Sequence, residues 1–168
     1  MKKSRLPSDP DSPQAAYFRG LRWLTARELS EAQIRDRLEE RGYSQAAIAA
    51  AIKRLKDEGT LDDARAAASV ARTEANVRRH GPRRVLGRLS AMRIEDDLAR
   101  QVVREQFGDS ADEAERIDAS LERRLRGKRE KLNDPAERRK LIAYLVRQGF
   151  SVSAASLAVR RKSREESQ

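Results

Sequence analysis

The sequence has 168 residues, with 37 Lys and Arg against 27 Asp and Glu, and its formal net charge is +10 at neutral pH. Hydrophobic residues make up 38% of it, but 25 of them are alanine, which leaves too little bulk for one thick core. The absence of cysteine excludes disulfides and thiolate sites. No apolar run approaches the roughly 18–20 residues of a membrane span, and no signal peptide is evident. We therefore expect a cytoplasmic protein built from thin layers of helix.

Both ends of the chain are polar. Residues 1–14 contain three prolines and little apolar bulk, which predicts a disordered lead. Residues 162–168 form a similarly polar tail. The folded part is therefore expected between them.

Three helices are predicted in the first part of the chain. Ser30 opens the second of them, and Gln33 three residues later completes a capping box. Gly42 stands where a helix end favours a left-handed residue, and Gly59 ends the third helix. The apolar faces contain Tyr17, Leu21, Leu24, Ile34, Leu38, Ile48, Ile52 and Leu55, with Phe18 and Trp23 beside the first stripe.

Further capping signals divide the middle of the chain. Asp62 or Asp63 is expected to cap a fourth helix that runs toward His80. Gly81-Pro82 begins the fifth, since proline is tolerated in the first helical turn, and Gly87 lies inside it.

The last part of the chain contains a long seventh helix, predicted from Asp112 to about Lys131 with Gly127 inside it. Asp134-Pro135 then supplies an N-cap and a first-turn proline for the eighth helix, and Glu137 supplies a capping acid.

One turn sequence recurs along the chain. Arg41-Gly42-Tyr43-Ser44 reappears as Gln148-Gly149-Phe150-Ser151, and Met92-Arg93-Ile94 occupies the corresponding turn in the middle. Apolar residues at matching positions before these turns are spaced by 51 and 56 residues, which indicates a stacked helical repeat. The matching pairs are Ile34 and Leu38, Val85 and Leu89, and Leu141 and Leu145.

The predicted fold is therefore all-α, an elongated tandem array of three three-helix repeats. Their boundaries are placed at residues 15–61, 62–108 and 109–161.

Sequence features of an enzyme or of a metal site are mostly absent. The eight glycines stand singly and form no phosphate loop. His80 is the only histidine and is interpreted as a polar residue in a basic turn. Carboxylates alternate with bases, as in residues 36–41, which is typical of a solvated helix face with i,i+4 pairs. We therefore expect no catalytic residue, metal or cofactor.

Positive charge is spread along the chain, and 29 of the basic residues are arginine, which suits bidentate contact with phosphates or carboxylates. No acid occurs between Glu74 and Glu95. On the predicted fifth helix Arg84 and Arg88 share a face opposite the apolar pair Val85 and Leu89. The arginines of this acid-free stretch are Arg78, Arg79, Arg83, Arg84, Arg88 and Arg93.

A second basic cluster lies on the predicted seventh helix. Arg124 and Lys128 are expected to share one face of it, and Arg123 and Arg126 another. The aromatic residues mostly fall on apolar stripes, which argues against a single-strand binder that stacks bases. The charge therefore indicates contact with a polyanionic surface, either a nucleic-acid backbone, an acidic protein groove or a nucleoprotein filament.

In order and spacing, these segments resemble the RecX family, bacterial regulators of the RecA recombinase. The resemblance covers about residues 15–161. Its segments are Leu21-Arg22-Trp23-Leu24, Ser30 to Leu38, the Arg41 to Ser44 turn, Leu55 to Asp63, His80 to Val85, and Asp134 through Ser151.

This resemblance implies a protein that lies in the groove of the RecA–DNA filament and inhibits recombinase and ATPase activity. The implied partners are RecA and the backbones of single- and double-stranded DNA, with no membrane, and the protein is expected to be a monomer. The sequence departs from the family at Ala66 and Ser69, where aromatics are usual. The fourth helix should therefore pack closer or more weakly.

Together these features favour the hypothesis of a non-enzymatic filament regulator that uses eight basic residues. A free-standing helix-turn-helix DNA-binding protein or transcriptional regulator is the alternative, and a helical scaffold with solubilising charge is a third possibility. The residues expected to contact DNA or the filament are Arg78, Arg79, Arg83, Arg84, Arg88, Arg123, Arg124 and Lys128.

Overall fold

A computed structural model describes residues 7–108, 110–127 and 132–166, and these ranges contain nine α-helices and no strand. The predicted all-α class is confirmed. Within the described ranges no helix combines the length and apolar character needed to cross a membrane. The helices are α1 Pro13–Leu24, α2 Glu31–Glu40, α3 Gln45–Asp57, α4 Asp63–Arg72, α5 Pro82–Ala91, α6 Asp96–Phe107, α7 Ser110–Leu125, α8 Pro135–Gln148 and α9 Val152–Glu166, and a π-helical turn, Thr73–Val77, follows α4.

The chain divides into two compact units by its internal contacts. The first contains the residues up to Ser69 together with Leu89–Ala99, and the second contains Val70–Arg88 and the residues from Arg100 onward. Helices α1, α2 and α3 pack on one another in the first unit, and α7, α8 and α9 do so in the second. The repeat boundaries after residues 61 and 108 stay predictions.

The core of the first unit joins its three helices. Leu38 of α2 and Leu55 of α3 are completely buried. Tyr17 of α1 packs beside them, and its hydroxyl donates a hydrogen bond of 2.7 Å to Oε2 of Glu58. The guanidinium of Arg54 lies 3.8 Å from the centre of the Tyr17 ring, so α3 also covers this aromatic from outside.

The core of the second unit is also made by three helices. Ile117 and Leu121 of α7 and Leu145 of α8 are completely buried, as is Val159 of α9. Phe150, in the turn between α8 and α9, is only 1% exposed and belongs to the same cluster. The turn after α8 is therefore part of this core.

The turn that recurs in the sequence has the same backbone geometry in all three places. Gly42, Arg93 and Gly149 follow α2, α5 and α8 with φ values of +85°, +54° and +101°. In each case the next amide donates a 3.2 Å hydrogen bond to the carbonyl five residues earlier, as in a Schellman motif. The repeat therefore extends to the capping of the next helix, where the side chains of Ser44, Glu95 and Ser151 each accept from the amide three residues on.

The structure shows that Asp62, and not Asp63, caps α4. The carboxylate of Asp62 accepts a 3.0 Å hydrogen bond from the amide of Arg65 and caps the helix. The carboxylate of Asp63 instead accepts one of 2.8 Å from the amide of Glu31, at the start of α2. Ala66 is completely buried, whereas Ser69 is partly buried. Alanine therefore occupies a fully enclosed position where the family resemblance implies an aromatic.

Both chain ends contain more structure than their composition predicts. Helix α1 begins at Pro13 because the side chain of Ser12 caps it. The carbonyl of Pro10 accepts a 2.9 Å hydrogen bond from the amide of Ser44, and Gln14 accepts one of 3.0 Å from Arg54. Residues 10–14 of the predicted lead therefore make hydrogen bonds with the first unit, the extent of the disordered lead stays a prediction, and residues 1–6 lie outside the described residues.

The polar tail is helical, since α9 continues to Glu166. The ammonium of Lys162 lies 3.3 Å from a carboxylate oxygen of Glu122 on α7, and Ser163 donates a 3.0 Å hydrogen bond to the carbonyl of Leu132. Polar side chains thus hold this segment to its own unit. Residues 167 and 168 lie outside the described residues.

Helix α7 is shorter than predicted. It ends at Leu125, and both Arg126 and Gly127 have positive φ, +42° and +80°. Gly127 is therefore in a turn, because consecutive left-handed residues break the helix. The face predicted for Arg123 and Arg126 does not form, and residues 128–131 lie outside the described residues.

Ser30 connects the start of α2 to another part of the first unit. Its Oγ accepts the amide of Gln33 at 3.2 Å, while the Gln33 side chain accepts the amide of Ser30, so the predicted capping box is present. The same hydroxyl donates a 2.6 Å hydrogen bond to the carbonyl of Met92. Because Ser30 is completely buried, the Gln33 amide and the Met92 carbonyl depend on its hydroxyl for their hydrogen bonds.

Replacing Ser30 with alanine is expected to lower the free energy of unfolding by about 2 kcal/mol, since it removes a cap and leaves the Met92 carbonyl without its partner. Ser44→Ala is the matched control, because Ser44 caps α3 but is less buried, and about 1 kcal/mol is expected there. Urea unfolding followed by circular dichroism measures both, and equal losses would contradict the role of the Met92 contact.

Candidate functional site

The start of α5 is fixed by backbone contact with the turn after α8, and this helix carries three of the six arginines of the acid-free stretch. The amide of Gly81 donates a 2.7 Å hydrogen bond to the carbonyl of Gln148, and the amide of Arg83 donates one of 3.1 Å to the carbonyl of Gly149. We call this contact the glycine junction. It lies within the second unit and fixes the backbone at the start of α5, next to the arginines.

Neither glycine of the junction leaves room for a side chain. A Cβ on Gly81 would lie 2.6 Å from the carbonyl carbon of Gly149. A Cβ on Gly149 would lie 2.6 Å from both the amide nitrogen and the Cβ of Arg84, and the φ of Gly149 is +101°. Both positions therefore require glycine, for steric reasons at Gly81 and for steric and backbone reasons at Gly149.

A buried carboxylate organises the residues that precede the junction. Glu74, in the π-helical turn, is only 5% exposed. Its Oε2 lies 2.5 Å from Nδ1 of His80, and its Oε1 accepts a 2.9 Å hydrogen bond from Arg78. In the described part of the chain no group of three or more acidic or histidine residues is arranged to hold a metal ion. His80 therefore pairs with Glu74 and positions the basic turn.

Three arginines of the cluster present charge to solvent. The side chains of Arg79, Arg83 and Arg88 are exposed and make no hydrogen bond or ion pair with any other described residue. Arg79 also has a φ of +58°, a conformation that is costly for arginine. These guanidinium groups are the part of the cluster that is available to a phosphate or a carboxylate.

The other arginines of the stretch already have partners. Arg84 donates a 3.1 Å hydrogen bond to the carbonyl of Arg147 but stays exposed, as Arg88 does, while Val85 and Leu89 on the opposite face of α5 are completely buried. Arg93 forms an ion pair with Asp36 in the first unit. The acid-free stretch is therefore not a uniform row of free charges.

A small cavity adjoins the cluster, and sequence reasoning missed one of its residues. The cavity has a volume of about 220 Å³ and is lined by Arg79, His80, Asn76 and Arg116, among others. Arg116 donates a 2.8 Å hydrogen bond to Asn76, and its guanidinium lies 5.3 Å from the centre of the Phe107 ring. The neighbours of Arg116 in sequence are acidic, so the sequence pattern does not indicate a basic site there. Only the tertiary fold brings Arg116 to the cluster.

The second basic cluster surrounds Tyr144 of α8. Arg123 and Arg124, near the end of α7, are exposed, and the guanidinium of Arg124 lies 5.3 Å from the centre of the Tyr144 ring. Arg123 and Ser120 both hydrogen-bond the Tyr144 hydroxyl. Lys128, the last residue of the predicted site, lies outside the described residues.

These arginines change the ionisation of Tyr144. Burial raises the pKa of its hydroxyl, but the hydrogen bonds with Ser120 and Arg123 and the charges of Arg123 and Arg124 outweigh burial. The pKa of Tyr144 is therefore lower than the ordinary value, because the phenolate is stabilised by nearby positive charge.

Arg123→Ala is expected to raise the pKa of Tyr144, since it removes one hydrogen bond and one positive charge from the phenolate. The titration is followed by the ultraviolet absorbance of the phenolate, with a Tyr144→Phe variant subtracted to isolate this tyrosine. Arg126→Ala, beyond the end of α7, removes the same charge without this hydrogen bond and serves as the control. An unchanged Tyr144 titration in Arg123→Ala would contradict the contact.

The sequence matches two descriptions of one protein family. Residues 16–55 match "RecX, first three-helix domain", and residues 111–159 match "RecX, third three-helix domain". The two matches lie within the first and third predicted repeats.

Curated relatives agree with this assignment, and a solved structure shares the fold. The chain is 32% identical over 154 residues to the regulatory protein RecX of Mycobacterium sp. (strain KMS), covering 88% of this chain and 81% of that one. It is 34% identical over 147 residues to the regulatory protein RecX of Xanthomonas campestris pv. campestris (strain B100), covering 88% and 87%. The crystal structure of RecX from Lactobacillus salivarius shares the fold, with a TM-score of 0.77, 20% identity and coverage of 89% and 96%. This chain therefore belongs to the RecX family.

Proposed function

We propose that this protein binds the RecA nucleoprotein filament along its groove and inhibits recombinase and ATPase activity during DNA repair and recombination. Membership of the RecX family is the observation that carries the proposal. The protein would act by binding, without a catalytic residue or cofactor of its own.

The arginines near the glycine junction are the proposed contact surface. Arg79, Arg83 and Arg88 are exposed without a described partner, so binding a phosphate would not require breaking an existing ion pair. Arg78 and Arg84 would add positive charge on the same stretch of chain, Arg123 and Arg124 would add a second basic patch beside Tyr144, and Lys128 is a candidate from the sequence. Contacts of this kind recognise the nucleic-acid backbone and carry no base sequence information.

Inhibition would follow from mass action. A protein that binds one state of the filament more tightly than another shifts the equilibrium toward the bound state, by as much as its affinities differ. If the bound state hydrolyses ATP slowly or cannot exchange subunits, both ATPase and strand-exchange rates fall together.

The test is a titration of RecA with the purified full chain at two salt concentrations, with ATPase and strand exchange as readouts. We expect both activities to fall with added protein, and more strongly at the lower salt, because phosphate contacts release counterions. Absence of inhibition at both salt concentrations would overturn the proposal.

The same preparation distinguishes the filament regulator from a free-standing DNA-binding protein. A regulator of the filament should bind naked duplex weakly and without sequence preference. Tight duplex binding with a sequence preference and no need for RecA would support the helix-turn-helix alternative instead.

A further inference from the structure

The first unit has a groove along one face of α1 that contains an exposed aromatic ring. Phe18 is 51% exposed, although the neighbouring Tyr17 is only 6% exposed. The Phe18 ring meets that of Tyr17 edge to face, with 5.3 Å between the centroids and 63° between the planes. Tyr17 thus fixes the Phe18 ring while leaving it accessible.

The groove combines this ring with positive charge. Its volume is about 610 Å³, which is within the range of about 300–1,000 Å³ typical of small-ligand sites. Arg19 and Arg22 line it, and neither side chain has a hydrogen bond or ion pair with another described residue. With Phe18 at i, these arginines stand at i+1 and i+4. No acidic residue lines the groove in the described part of the chain.

The shape of the apolar part favours a flat ligand. Besides Phe18, the described apolar lining of the groove consists of the small side chains of Ala15 and Pro7 and of Tyr43, which is largely buried and offers little accessible surface. A docked helix needs apolar anchors at i, i+3, i+4 and i+7, and one exposed ring cannot accommodate that series. A nucleobase needs only one accessible aromatic face, and its adjoining phosphates need cations nearby.

We propose that this groove binds an unpaired nucleotide of single-stranded DNA, with the base stacked on Phe18 and the flanking phosphates contacted by Arg19 and Arg22. Most aromatics of the chain are buried, as the sequence predicts, but Phe18 is an exception that supplies a stacking surface. This site is in the first unit, and it does not depend on RecA or on the arginines of the second unit.

The experiment compares two labelled oligonucleotides of equal length, one of thymidines and one abasic, by fluorescence anisotropy with the full chain. The native protein should bind the thymidine strand about tenfold more tightly, because base–aromatic stacking contributes about 1–3 kcal/mol per base. Phe18→Ala should reduce this ratio to nearly one while leaving affinity for the abasic strand unchanged. Arg22→Ala should weaken binding to both strands by a similar factor and keep the ratio.

Two further variants serve as controls, one for unfolding of Phe18→Ala and one for the loss of an exposed apolar side chain elsewhere. Phe18→Leu keeps an apolar side chain against Tyr17 but lacks an aromatic face, so it should also lose the preference even if Phe18→Ala were to unfold. Leu157→Ala removes a side chain that is 69% exposed on α9 and should leave the ratio unchanged. Equal affinity of the native protein for both strands, as expected if the groove bound an acidic peptide, would overturn the proposal. A ratio that survives in Phe18→Leu would also overturn it.

Discussion

Replacing Gly149 with alanine is expected to lower the free energy of unfolding of the second unit by about 3 kcal/mol. The left-handed backbone at φ +101° costs alanine about 1–2 kcal/mol. Overpacking against the backbone and Cβ of Arg84, only 2.6 Å away, adds about 1–3 kcal/mol. Urea unfolding followed by circular dichroism measures the loss.

Two other glycines separate these contributions. An added Cβ at Gly127, where φ is +80°, meets nothing within 4 Å, so Gly127→Ala should cost only about 1–2 kcal/mol from backbone strain. Gly87 lies inside α5 with open space around it, so Gly87→Ala should stabilise the protein by about 0.5–1 kcal/mol. If Gly149→Ala lost no more stability than Gly127→Ala, the close contact at the glycine junction would be contradicted.

Replacing Arg83 and Arg88 together with alanine is expected to weaken filament binding at least tenfold at low salt. If both side chains contact phosphates, the slope of log affinity against log salt should fall by roughly two units, one for each contact. Neither guanidinium has a described partner, so the substitutions should leave stability nearly unchanged. Anisotropy titrations of RecA filaments across a salt series measure affinity and slope together.

A matched charge control is available in the first unit. Arg27 and Arg41 also make no side-chain hydrogen bond or ion pair with another described residue, so changing both to alanine removes the same net charge. This control should change affinity and slope only slightly. Equal effects of the two double variants would indicate that net charge, and not this cluster, determines binding, and unchanged binding by Arg83→Ala/Arg88→Ala would contradict the proposed surface.

Local signals in the sequence predicted most of the helical structure. The Ser30–Gln33 capping box and the Asp134-Pro135 helix start depend on residues within a few positions of each other, and both are present. The three equivalent turns also follow from local patterning, although Arg93 takes a left-handed conformation where glycine stands in the other two. Propensity misplaced the end of α7, because Arg126 favours helices in general but adopts positive φ before Gly127.

Features that join distant segments were not predictable from local signals. Nothing near Gly81 in sequence indicates that its amide bonds to Gln148. The availability of each arginine also depends on such contacts, since Arg93 has an ion-pair partner on α2 whereas Arg83 and Arg88 have none among the described residues. Composition locates the positive charge, but only the tertiary contacts decide which guanidinium groups remain free.

The glycine junction also affects the order in which the protein matures during its synthesis. The hydrogen-bonded pair Arg84 and Arg147 is 63 residues apart in the chain, and a ribosome adds roughly 5–20 residues per second. The arginine segment is therefore synthesised several seconds before the turn that fixes it. The basic surface is therefore expected to become ordered last, after the N-terminal helices have folded, so a nascent or prematurely terminated chain should lack an organised basic surface.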